Sequence, residues 1–138
     1  MFPTIESAIE AAFLDARESE GPDGQARLRL GTIRQVGGGY VWSAPIASRE
    51  PVWSSAPMRV RLALGSQDVA VYVVHPRSGR PEVDRANEAP NRSERALVDR
   101  SERPLFLLTP SRRVVRVEVG DEPDGQSLVR RGAVGAAR

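Results

Sequence analysis

The 138-residue chain has no cysteine, a single histidine and few aromatics (5%), and all 20 of its basic residues are arginine. Without cysteine there can be no disulfide, no thiolate nucleophile and no cysteine-ligated zinc. The redox compartment stays open, because such a chain survives in any of them. No apolar run approaches the length of a membrane span. The first residues, MFPTIESAIEAAF, are acidic and amphipathic and lack the basic start and apolar centre of a secretory signal, so the expectation is a cytoplasmic protein, or one secreted with a toxin. The formal charge is only +2 despite a sequence pI near 9.9. Arginine stays protonated at any ordinary pH, so the high pI reflects residue choice, a coding bias more than a nucleic-acid-binding field.

What is present suits a soluble domain with one core: 40% hydrophobic residues, 28% charged. In PTIESAIEAAFLDARESEG, Ile5, Ala8, Ile9, Ala12, Phe13 and Ala16 recur at helical spacing, with Thr4 as N-cap and Gly21-Pro22 as the stop. ARLRLGTIRQV and YVWSAP predict a hairpin around Gly37, Gly38 and Gly39, with Leu28 and Leu30 facing one way and Arg27 and Arg29 the other. MRVRLAL repeats that alternation, Met58, Val60, Leu62 and Leu64 inward and Arg59 and Arg61 outward. DVAVYVV is apolar on both faces, the mark of a central strand. A polar loop (PRSGRPEVDRANEAPN), a short charged helix (RSERALVDRSER) and two strands (PLFLLTP, RVVRVEV) joined at Ser111 and Arg112 complete the pattern. The expected fold is α+β: a mostly antiparallel sheet flanked by an N-terminal helix and a second short helix. The domain covers residues 1–119, with a flexible tail over 120–138.

His75 stands where the central strand leaves the core, a natural place for a metal ligand or a proton shuttle. A catalytic zinc wants about three protein ligands and an open position for water. Only carboxylates could join the lone imidazole, from Glu82, Asp84, Glu88, Glu94 and Asp99, which the pattern places on a loop or a charged helix as solvated surface groups. Elsewhere, Arg27, Arg29, Arg59 and Arg61 could form a basic face for a phosphate backbone, but few aromatics exist to stack bases, and pairing with acidic neighbours is the preferred expectation. Trp42 and Trp53 suit core packing better than a partner anchor.

Read in order, the opening helix, GGGYVWSAPIAS, VYVVHP, NRSERALVDRSERPLFLLTPS and RVVRV resemble a JAB/MPN domain, the fold of the JAMM metalloproteases. The similarity is to an uncharacterised bacterial branch found alone or at the ends of Rhs-type secreted toxins, and it spans most of Phe2 to Val119. The resemblance implies a zinc site built on His-x-His-Pro and Ser-x-x-Asp with an upstream glutamate as base. His75, Pro76 and Ser93 match that pattern; Val73 and Ala96 fall where a histidine and an aspartate would bind metal. Arg29, Leu30 and Gly31 stand where the glutamate should be. Asp99, one helical turn after Ala96, could replace the lost aspartate only if the helix slipped. The expectation is a non-catalytic pseudoenzyme that binds a protein partner, linked to a toxin or secretion system, with no cofactor, no membrane and no nucleic acid. The alternative is a divergent zinc-dependent hydrolase, peptidase or isopeptidase-like, using His75 with Asp84 or Asp99, and Ser93 beside them as a catalytic candidate. A nucleic-acid binder using the arginine face is the third.

Overall fold

The computed structural model describes residues 1–18, 26–53 and 62–121. The expected helix stop at Gly21-Pro22, Met58, Arg59, Val60 and Arg61, and the tail from residue 122 onward lie outside the described residues. Helix α1 (Ile5–Glu18) starts at Thr4, whose hydroxyl accepts from the Ser7 amide at 3.0 Å while the Ser7 hydroxyl accepts from the Thr4 amide at 3.2 Å. This reciprocal cap satisfies two amides that a helix end would leave unpaired. The apolar stripe is the buried face: Ala8, Ile9, Ala12, Phe13 and Ala16.

Strands β1 (Arg27–Val36), β2 (Gly39–Trp42), β3 (Ile46–Pro51), β4 (Asp68–Val74), β5 (Leu105–Leu108) and β6 (Val114–Val117) form one sheet, ordered β2-β1-β4-β5-β6, with β3 also on β1. The β1–β2 hairpin turns through Gly37, whose φ of 58° is a left-handed conformation that glycine adopts without strain. Beyond the hairpin the chain doubles along the same edge. β2 pairs with the end of β1 and β3 with its beginning. β3 is an element the pattern did not predict, because its largely exposed IASREP carries no apolar alternation. Helices α2 (Pro81–Ala86) and α3 (Arg92–Ser101) carry the chain from β4 to β5, so those two strands run parallel and the sheet is mixed. The polar loop expected after His75 thus contains a helix; α2 buries no residue and left no periodic signal.

Alternation along the strands divides the core between the two faces. Ala70, Tyr72, Val74, Phe106 and Leu108 pack with Ile33 and the α1 stripe. Val71, Val73, Leu105 and Leu107 join Leu28, Leu30, Val115 and Val117 under Leu97 and Val98 of α3. A strand covered on both sides must be largely apolar, as β4 is from Val69 to Val74. The result is a single α+β domain with a six-stranded mixed sheet and three helices. Among the described residues no helix is long and apolar enough to cross a membrane.

Tyr72 ties this sheet to the doubled edge. Its ring packs edge-on against Phe13, 6.1 Å between centroids, and its hydroxyl donates to the Ser43 carbonyl at 2.5 Å. To get there the ring crosses Gly31, its pairing partner on β1. A Cβ at Gly31 would stand 2.4 Å from the ring, closer than atoms can pack. Gly31→Ala is therefore expected to destabilise the fold by about 1–3 kcal/mol through overpacking. Chemical denaturation checks this; a neutral result would show that the ring does not lie on that glycine.

Candidate functional site

The site is built where β4 ends. The strand's period places Val73 and His75 on the α3 face, and the His75 amide donates to the Leu108 carbonyl at 2.9 Å, continuing the pairing with β5. The imidazole is 1% exposed. Its Nδ1 lies 2.8 Å from the Asn87 carbonyl oxygen and its Nε2 lies 2.7 Å from Glu94 Oε2.

Glu94 reaches the ring because of how α3 begins. Asn91 is the N-cap, and its side chain accepts from the Glu94 amide at 2.8 Å while Glu94 Oε1 accepts from the Asn91 amide at 2.8 Å. This capping box holds the carboxylate at the third helical position and leaves Oε2 for His75. Glu94, Leu97 and Val98 are the buried side of α3, one helical face. Ser93, Ala96 and Asp99 lie on the exposed side. The expectation that the acidic residues after His75 are all solvated surface charges is corrected here. Glu94 is buried, and the Asn-x-x-Glu spacing that signals a capping box could have identified it.

The protonation of this pair follows from its partners. A backbone carbonyl can only accept, so Nδ1 carries a hydrogen. The Nε2···Oε2 contact must also hold one proton, on the ring or on the carboxyl. Burial alone would push the imidazole down; the Glu94 charge and hydrogen bond, the Asn87 carbonyl and the Glu88 charge outweigh it, and the His75 pKa is raised above 6.5. Below that raised value the ring holds the proton, and the pair is then a buried imidazolium and carboxylate.

The donor set does not fit a zinc ion. A metal needs an imidazole lone pair, and both His75 nitrogens are committed to acceptors. Val73 is fully buried among aliphatic side chains. Leu30, paired with Val73, occupies the β1 position facing the same side, where a base would have to stand. Asp84 accepts from the Ser78 amide and hydroxyl through one oxygen, at 2.9 and 2.7 Å. Asp99 sits on the outer side of α3, so His75, Asp84, Ser93 and Asp99 are not brought together. Among the described residues no three His, Asp or Glu side chains group as a metal site requires.

Next to the pair lies an open groove lined by Arg77, Asp84, Arg85, Glu88, Pro110 and Ser111. The Glu88 carboxylate accepts from the Ser111 amide and hydroxyl at 2.7 and 2.6 Å, with Arg113 Nε at 3.4 Å. Burial would raise the Glu88 pKa, but the Ser111 hydrogen bonds, Thr109 and Arg113 together hold it below its ordinary value.

The expected arginine face is engaged differently. Arg27 donates to the Ser48 and Arg49 carbonyls, and Arg29 reaches the Ala16 carbonyl at 2.8 Å, in the last turn of α1, where a cation favours the helix dipole. Both arginines are anchored to backbone carbonyls, Arg29 at the end of α1, while Arg59 and Arg61 lie outside the described residues. Trp42 packs at the margin of the core, whereas Trp53 stacks under the Arg80 guanidinium, 4.5 Å from the ring centroid.

No family model, curated protein or solved structure matches the chain. Its chemistry therefore rests on the geometry. His75→Ala is expected to cost about 3–5 kcal/mol, because it strands the Glu94 charge in the core. Ser93→Ala and Asp99→Asn should each stay within about 0.5 kcal/mol, as exposed positions do. Urea denaturation of the three variants checks the contrast; equal effects would mean that His75 does not hold the fold.

Proposed function

We propose that this chain is a non-catalytic JAB/MPN-like domain, a pseudoenzyme that serves as a protein-protein interaction module, linked to a bacterial toxin or secretion system. One observation carries the non-catalytic part: the sole histidine gives both ring nitrogens to buried acceptors, the Asn87 carbonyl and Glu94. A hydrolase of that family needs the same imidazole to hold zinc. Here a buried ion pair joins the strand end to the helix in place of a metal bridge. Aliphatic side chains at Val73 and Leu30 and the outward turn of Ala96 agree with this reading. A small mixed sheet covered on both faces, with an α1–hairpin–α3 order, is compatible with the resemblance. The toxin link comes from that resemblance alone.

The metal content of the purified chain tests the proposal. The expected result is substoichiometric zinc and a melting temperature unchanged by a chelator. One tightly held zinc per chain, lost in His75→Ala, would overturn it in favour of the divergent hydrolase. A partner recovered from the native host should bind equally well with and without chelator; binding that requires zinc would contradict a metal-free module.

A further inference from the structure

We propose that His75 and Glu94 form a proton-operated latch, which holds the corner between α2 and α3 against the sheet and releases it when the imidazole loses its second proton. The inference rests on one part of the function proposed above, that neither ring nitrogen holds a metal, and not on what the domain docks against.

The geometry makes the latch two-state. Doubly protonated, the ring donates to the Asn87 carbonyl at 2.8 Å and to Glu94 Oε2 at 2.7 Å, so every polar atom is satisfied. Neutral imidazole has one N–H and can satisfy only one of the two. The other contact then sets a nitrogen lone pair against an oxygen at a ring that is only 1% exposed. Capping-box geometry keeps Glu94 from turning away, since its Oε1 is committed to the Asn91 amide. Asn87 is the freer end. It lies just past α2, which buries none of its residues and has no side-chain cap.

Movement of Asn87 would reach the surface at once. The next residue, Glu88, binds the Ser111 amide and hydroxyl and Arg113 across the β5–β6 turn, and Glu88 and Ser111 line the groove. Releasing the corner would therefore reshape that groove.

Few other charges compete for control. Facing the ring are Glu94 from α3 and the Glu88 charge from the corner, both favouring the proton. On α2, Asp84 is bound to Ser78, and Arg77, past the strand end, donates to the Pro110 carbonyl. β5 offers Leu108 and the buried, neutral Thr109; β1 offers Leu28 and Leu30. Because the folded-state pKa is raised above 6.5, the latch contributes fully below that pH and is lost as pH rises through the raised value.

Amide hydrogen exchange of the full chain, corrected for intrinsic pH dependence, reads the latch directly. Between the ordinary imidazole value and the raised folded-state value, local opening at Asn87, Glu88 and Ser111 should increase about tenfold per pH unit and then level off, while α1 stays unchanged. In Glu94→Gln, the amide oxygen keeps the Asn91 cap and its N–H can donate to a neutral His75, so opening at the corner should be flat with pH. Equal pH responses of the corner and α1 in the wild type would overturn the proposal, as would a Glu94→Gln variant keeping the wild-type slope. If that variant does not fold, the wild-type comparison decides alone. Zinc uptake would sink the latch together with the proposed function. A pH-insensitive corner in metal-free protein would sink the latch only.

Discussion

A proton held between the His75 ring and Glu94 joins three parts of the chain at one buried point. Through it the end of β4, the first turn of α3 and the α2–α3 corner converge on one buried imidazole. Buried ion pairs are rarely large net stabilisers, because desolvation opposes their attraction. This one fixes geometry: both ring nitrogens and both carboxylate oxygens are engaged, so the strand end, the helix start and the corner are held at hydrogen-bond distance. The position of α3 over Val71, Val73, Leu105 and Leu107 follows from that constraint as much as from apolar burial.

A second constraint works on the opposite face. β4 sits at the centre of the sheet and must be covered twice, so α1 closes one side as α3 closes the other. The Tyr72 ring spans β1 on the α1 side and needs Gly31 beneath it. Burial and the Asp15 charge push the Tyr72 phenol well above its ordinary value, with Arg29 opposing, so it remains a neutral hydrogen-bond donor at any ordinary pH. Each polar network ties the sheet to the segments that cover it.

Elements whose burial is periodic could be read in the chain alone. The α1 stripe, the two-faced β4 and the Gly37 hairpin each express a single local rule. α2 and β3 could not, since they bury little and hydrophobic spacing reports only burial. The parallel pairing of β4 with β5 is a tertiary choice with no local mark. Part of the site was visible as a histidine at a strand end, and its partner was missed for an instructive reason. Glu94 looks like one charge among many in NRSERALVDRSER, a segment with too few apolar residues to set the helix rotation. The Asn91 cap sets the true rotation, carrying Glu94 in and Ser93, Ala96 and Asp99 out.

The same rotation connects structure to function. It presents the Glu94 carboxylate to the imidazole and leaves Ser93 and Asp99 at the surface. The protonation of a single ring is then the point at which the proposed metal-free, non-catalytic role stands or falls. Because His75 is the chain's only histidine, its ring nitrogens can be observed without ambiguity by nitrogen-15 NMR of the side chain at about pH 6, below the ordinary imidazole value. Two protonated nitrogens, with N–H protons slow to exchange, are the predicted result; one nitrogen carrying a free lone pair under those conditions would contradict the account.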